Sequence, residues 1–285
     1  MSDVAGSAAP AEPSEQNSRA GRNLPLAIAV GVVLGAVTLA ILLWVKWVFV
    51  AYAAVFLIVA VWEMKGAFTR QTIAVVVWPL VVAVPVIAWA SYAHGEQAML
   101  VVFAALVLAI LVSRLASGTD RYVRDVTASV FLAAYLPLML GFVMLLLRSD
   151  DGQFRIIVFL ALTASSDVGG YAVGVLFGKH PMVPSISPKK SWEGFGGSLA
   201  LQAGVGAWLF VWLLSGAWWA GLITGLIMTF SATLGDLVES AIKRDLGVKD
   251  MGTTIPGHGG LMDRLDSIIP NAFVSWALFA AFLGT

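Results

Sequence analysis

Apolar runs separated by short polar breaks recur from Leu24 almost to the last residue of the chain. A membrane-spanning helix needs about 20 apolar residues, within a range of roughly 17–25. Runs of that kind lie at approximately 24–45, 47–62, 73–92, 98–113, 126–147, 156–178, 195–214, 217–238 and 267–284. The pattern predicts an all-α fold, a polytopic integral membrane helical bundle of about nine transmembrane helices. Two runs, 47–62 and 98–113, are short, and little more than Lys46 parts the first pair. Eight spans with one fused or re-entrant pair fit the pattern as well.

Composition agrees: 59% of the 285 residues are hydrophobic and 12% are charged, where soluble domains carry roughly 25% charge. The zero net charge argues against nucleic-acid binding. With no cysteine in the chain, disulfides, thiolate metal sites and a cysteine nucleophile are all excluded. Residues 1–23, rich in Ala, Ser, Pro and Glu, are expected to form a disordered cytoplasmic tail. The apolar run after Arg22 is longer than a signal-peptide core, so a retained helix is expected there.

Lysines and arginines sort unevenly between alternate connections. One side collects Arg19, Arg22, Lys65, Arg70, Arg114, Arg121, Arg124, Lys179, Lys189, Lys190, Lys243, Arg244, Lys249 and Arg264, and the other only Lys46, Arg148 and Arg155. The richer side is predicted to be cytoplasmic. The eleven tryptophans fall largely near span ends, as an interfacial belt would. His94 and His180 are single loop histidines with no assigned role.

The stretch that composition does not explain is "AIKRDLGVKDMGTTIPGHGGLMDRLDS", residues 241–267, where opposite charges crowd between apolar spans. On the helix leading into it, Asp236, Ser240 and Lys243 share one face, with Glu239 and Arg244 on the flanks. Such a stripe is costly against lipid and is expected to face the bundle interior or a wet cavity. The bland alternative is a salt-bridged, snorkelling helix end, but Asp236 lies deep for that. Downstream, the glycines around His258 (Gly257, Gly259 and Gly260) let backbone amides approach an anion. Asp263 and Asp266 are spaced one turn apart if the last helix begins there, and carboxylates so placed suit magnesium. Arg264 between them suits a phosphate or an aspartate. A charged helix cap would use the same residues one by one; their combination is what carries weight.

Two other segments could contribute. Lys189 and Lys190 in "SISPKKSWEG" suit either anionic lipid in general or an anionic substrate. Asp167 in "TASSDVGGY" is an intramembrane acid, either functional or a packing partner among Ser165, Ser166, Gly169 and Gly170. Gly196, Gly197 and Ser198 could pack against another helix or another subunit.

Cation-holding acids, phosphate-holding cations and a glycine-rich turn together describe phosphoryl or nucleotidyl transfer at a membrane surface. The run Ser240-x-x-Lys243-Arg244, Lys249-Asp250 and His258-Gly259-Gly260-x-x-Asp263-Arg264-x-Asp266 resembles the signature of the phosphatidate cytidylyltransferases, or CDP-diacylglycerol synthases. "SPKKSWEG" and "SSDVGGYAVGVLFGK" resemble two further segments of that family. The resemblance covers the carboxy-terminal half, so residues 151–285 are expected to form the catalytic region and 24–150 to supply about five further helices. It implies a multi-pass protein of the inner (plasma) membrane that joins CTP and phosphatidate to give CDP-diacylglycerol and pyrophosphate, with Mg2+ and room for a second cation such as K+. It also implies Asp236, Asp263 and Asp266 as metal ligands. Lys243, Arg244, Arg264, Ser240 and His258 would then contact phosphates or CTP, and Lys189 and Lys190 an anionic substrate; Lys249, Asp250, Gly259, Gly260 and Asp167 are counted with the substrate-binding set. A homodimer is a further expected assembly.

Two other readings compete. A CTP-dependent polyprenol-type lipid kinase would attack the γ-phosphorus and release CDP. An ion or solute transporter would use Asp167, Asp236 and Glu239 as a relay, but it would not need the charged glycine-rich loop, and no clear internal repeat is present.

Overall fold

The computed structural model describes residues 24–252, 254 and 260–284, with side chains from residue 31 onward except at Pro188 and Lys189. The tail 1–23 and the signature residues His258 and Gly259 therefore lie outside the described residues, as does the Lys189 side chain.

Among the described residues ten α-helices follow one another: α1 (Leu24–Trp44), α2 (Lys46–Arg70), α3 (Val77–His94), α4 (Glu96–Leu115), α5 (Tyr122–Tyr135), α6 (Pro137–Arg148), α7 (Gly152–Phe177), α8 (Trp192–Leu214), α9 (Trp218–Asp245) and α10 (Ile268–Leu283). Among the described residues seven helical segments are long and apolar enough to cross a membrane, counting α5 and α6 as one, and Gly31–Trp44 and α10 are shorter apolar helices. The first pair of runs is two helices, parted at Val45, whose backbone is extended. Next to that break, Lys46 donates to the carbonyls of Ser149 (2.6 Å) and Asp150 (3.0 Å).

Three boundaries differ from the hydropathy pattern. The run 126–147 is broken at Leu136, because Pro137 lacks an amide hydrogen and constrains the residue before it. The second run does not stop at Trp62, since α2 continues for two more turns to Arg70 and buries Glu63 on the way. Asp263 and Asp266 do not open the last helix. A 3₁₀ turn (Met262–Arg264) carries the first, and α10 starts only at Ile268, where Pro270 is tolerated in the first turn. The segment around Lys190 is a hairpin of two short antiparallel strands, β1 (Pro181–Val183) and β2 (Ser187–Ser191).

Helices α7, α8 and α9 pack in series, and α10 lies against α9 and α6. Small residues set the spacing. Ser198 donates to the Ser166 carbonyl at 2.7 Å, and a Cβ on Gly197 would lie 2.6 Å from the Gly169 carbonyl oxygen. The small-residue run at the start of α8 thus packs within the chain, while Gly196 faces open space. A Cβ on Gly221 of α9 would come within 2.1 Å of the Gly206 carbonyl oxygen of α8. Gly221→Ala is therefore expected to cost about 1–3 kcal/mol by forcing these helices apart, whereas Gly204→Ala, which meets nothing within 4 Å, leaves stability unchanged or slightly raised. Thermal unfolding in detergent checks the contrast.

The three cations of the poorer side gather at one end of the bundle. Lys46 and Arg155 hold the turn before α7, where Arg155 meets Asp151 at 2.7 Å, and Arg148 donates to the Tyr92 carbonyl at 3.3 Å. The opposite end holds the C-terminus of α9, the hairpin and the signature loop. There α9 closes with Gly247 in the left-handed conformation (φ +66°), and the Val248 and Gly247 amides donate to the Lys243 and Arg244 carbonyls. Gln71, just past α2, donates to the Leu246 carbonyl at 3.1 Å and fastens this cap to the amino-terminal helices.

Candidate active site

The stripe on α9 faces inward. Asp236 accepts from Lys190 of the hairpin and from the Ser267 hydroxyl (2.7 Å), so it joins β2 to the start of α10. One turn on, Glu239 is buried and receives Lys243 at 2.7 Å, and the same ammonium reaches Asp263 at 2.6 Å. Ser240 sits half-buried beside them. Gly235 allows the close approach of α10, because a Cβ there would lie 2.5 Å from the Asp266 carbonyl oxygen.

The two signature aspartates are placed differently. Asp263 folds back into its own loop: besides Lys243 it accepts from the Gly260 amide at 2.7 Å and from the Met251 amide at 3.2 and 3.3 Å. Asp266 accepts from the amide of Ser267 at 2.7 Å and faces other acids. Burial first, and then the charges of Asp236 and Glu239, push its carboxyl up to about 8, with Asp167 adding to the effect. Asp167, on α7, lines a cleft of about 360 Å³ together with Asp236, Lys190, Ser166 and Ser191. The small residues flanking it pack against α8, so this segment supplies both an acid and a close helix contact.

The remaining predicted residues are more peripheral. Arg244 is exposed and donates to the Ile186 carbonyl at 2.7 Å, which ties the hairpin turn to α9. Lys249 and Asp250 are exposed on the segment after the α9 cap. Arg264 sits at the surface, within electrostatic reach of Asp167.

Two residues from the amino-terminal half enter the site without having been singled out. Glu63 of α2 is buried and accepts from the Leu261 amide (3.0 Å), the Met262 amide (2.8 Å) and the Thr254 hydroxyl, gathering both sides of the signature loop on one carboxylate. Gly252 and Gly260 leave room for it, since a Cβ at either would fall within 2.7 Å of the Glu63 side chain. A signal was available, as Glu63 is the sole carboxylate between residues 24 and 95, directly after an apolar run. Tyr135 of α5 brings a buried hydroxyl, with no hydrogen-bond partner among the described residues, into electrostatic range of Glu239, Asp266 and Asp236. No sequence pattern marked it, because it lies midway along the run 126–147, where a lone tyrosine reads as one more packed aromatic.

Acids crowd here without enough positive charge. Glu239 Oε1 is buried with no hydrogen-bond partner among the described residues, and the Asp266 carboxyl is pushed up by burial and then by neighbouring carboxylates. Among the described residues no three such groups form a preassembled metal cage. An all-oxygen set that repels itself nevertheless fits a hard divalent cation.

Fold and site together describe a multi-pass membrane protein with a polar cluster of acids and lysines at one end of its helices. The sequence model of the Cytidylyltransferase family matches residues 26–282, and the chain belongs to that family. It is 41% identical over 278 residues to a phosphatidate cytidylyltransferase of Mycobacterium bovis, covering 93% of this chain and 91% of the relative. The phosphatidate cytidylyltransferase of Mycobacterium leprae is 40% identical over 281 residues, covering 93% and 90%. A more distant one from Helicobacter pylori is 31% identical over 216 residues, covering 76% and 74%. The chain is thus a membrane nucleotidyltransferase, and the likeness reaches well into the amino-terminal half.

Proposed function

We propose that the protein is a phosphatidate cytidylyltransferase, which forms CDP-diacylglycerol and pyrophosphate from CTP and phosphatidate on the cytoplasmic face of the cell membrane. The observation that carries this reading is the convergence of Asp167, Asp236, Glu239 and Asp266 with Lys190 and Lys243 at one end of the bundle. The near full-length likeness to enzymes of that name supports it. The charge asymmetry of the loops supports placing this end in the cytoplasm.

In the reaction a phosphatidate oxygen forms a bond to the α-phosphorus of CTP, and the bond to the bridging oxygen of the β-phosphate breaks, releasing pyrophosphate. Both reactants are anions, so the site must first overcome their repulsion. Lys190 and Lys243 lie beside the acids and can neutralise phosphate oxygens as charge shifts to the leaving group, with Arg264 at the rim. Asp236 and Asp266, with Asp167 and Glu239 near, would hold Mg2+, which when bound supplies Lewis-acid polarisation and charge neutralisation. Asp263 acts from its present bonds by fixing Lys243 and the loop. A phosphate already ionised at neutral pH needs no general base.

Purified protein in detergent, given phosphatidate, magnesium and CTP labelled separately at the α- and γ-phosphates, tests the reading. Transfer of the α-label to lipid with pyrophosphate release is the expected result; transfer of the γ-label would make the protein a lipid kinase.

The cation is expected to compete with protons. Asp266 keeps a proton in the folded, cation-free protein at pH values where the unfolded chain has lost it, so cation-free stability falls as pH rises from about 4 to about 8. Cation binding must release that proton, so Mg2+ affinity is expected to rise by up to about tenfold per pH unit until about pH 8. Magnesium-induced thermal stabilisation measured at about pH 6 and about pH 8 reads this directly. Equal affinities at both would show that Asp266 takes no part.

A further inference from the structure

A second cavity, of about 200 Å³, opens beside the site, and its walls are apolar except for its cationic end. It runs between α1, α2, α6, α7 and α10 and is lined by side chains such as Phe56, Leu57, Leu140, Leu160 and Ile268. Arg264 and Leu261 of the signature loop form one end, and Phe49 of α2 lies toward the other. On α2 the lining runs from Leu57 back to Phe49, a rise of about 12 Å at about 1.5 Å per residue. One leaflet of a bilayer core is roughly 15 Å thick, so a groove following α2 over that length is comparable to the depth of a leaflet.

Among the described lining residues, the hydroxyls of Thr38 and Tyr52 hydrogen-bond each other at 2.8 Å, and Thr38 also donates to the Leu34 carbonyl. Nothing on the walls below Arg264 calls for water. At the top, the guanidinium stands between this groove and the acid-lined cleft, whose Asp167 it reaches electrostatically. A ligand with a phosphate at one end and a hydrocarbon chain at the other matches both features at once.

We infer that this groove takes an acyl chain of the lipid acceptor, with the phosphate of the same molecule held at Arg264 beside the acids. The inference rests on the cytidylyltransferase reading for the identity of the lipid. The groove would then set the position of the attacking phosphate, because a chain anchored along α2 and α10 limits where its headgroup can go. It would also make the enzyme discriminate among acceptors by chain length.

Ala53→Trp narrows the groove from a half-buried wall position. The test compares dioleoyl- and dihexanoyl-phosphatidate as acceptors for wild-type and variant protein, with CTP and magnesium. The ratio of kcat/KM for the long to the short acceptor is expected to fall about tenfold in the variant, with the KM for CTP little changed. An unchanged ratio would overturn the proposal. Photolabelling wild-type protein with phosphatidate carrying a diazirine on its acyl chain needs neither a folded variant nor turnover. Labels on α2, α6 or α10 residues of the groove are expected, and labels confined to other faces would also overturn it. If no acceptor is turned over by wild-type protein but the groove is labelled, the cytidylyl-transfer reading fails and the lipid site stands.

Discussion

Asp236→Asn is expected to lower kcat/KM by about a thousandfold or more, equivalent to about 4 kcal/mol of transition-state stabilisation. Asp236 is where three parts of the site meet: Lys190 from the hairpin, the Ser267 hydroxyl at the start of α10, and the charge of Asp266. Asparagine preserves shape and can still accept from Ser267. It removes the charge that a divalent cation and Lys190 both need, so Lys190 is left facing an amide. The loss is expected in kcat and in magnesium affinity together, with Tm little altered or raised, because one source of carboxylate repulsion has gone. Initial rates at several magnesium concentrations, beside a thermal melt, measure both. A variant with full kcat at saturating magnesium would remove Asp236 from the chemistry.

Glu63→Ala is expected to cost about a hundredfold or more in kcat/KM, although Glu63 belongs to α2 and its carboxylate acts through the loop. Its carboxylate satisfies the amides of Leu261 and Met262 and the hydroxyl of Thr254. Alanine leaves the two buried amides unpaired at about 1–3 kcal/mol each, and the 3₁₀ turn carrying Asp263 and Arg264 loses its anchor. Glu63→Gln keeps one acceptor oxygen but presents an NH2 group where the second amide donates, so its activity is expected between wild type and alanine. This ordering distinguishes loop positioning from a lost packing contact, which glutamine would restore in full. Steady-state kinetics on the three proteins, with circular dichroism to confirm that the helices persist, decide the matter. Equal activity of all three would show that the loop holds itself.

How far such effects could be anticipated depended on how local the relevant physics is. The stripe Asp236–Ser240–Lys243 was legible because helical periodicity alone puts those residues on one face, and a polar face inside an apolar helix must avoid lipid. The spans were legible for the same reason, as each must satisfy its backbone internally. The break at Pro137 and the continuation of α2 beyond Trp62 were not read from hydropathy. Averaging over a window hides a single proline, and a buried glutamate looks like the end of a run until its partners are known. The signature acids were legible as a group, but the division between them was not: Asp263 turns to its own loop and Asp266 to the acids of α9.

The amino-acid sequence by itself determined that this chain is a bundle of membrane-crossing helices, that its cations concentrate in alternate connections, and which short run is the candidate for phosphate chemistry. Each of these follows from residue spacing along one helix or one loop. Only the tertiary structure decided that α2 and α5 serve the same site as α9 and α10, and that an apolar groove ends at Arg264. Those pairings join residues nearly two hundred positions apart, such as Glu63 with Met262. Long-range partners of this kind are set by which helix faces can approach, and small residues such as Gly235, Gly252 and Gly260 let them approach only once the bundle has assembled.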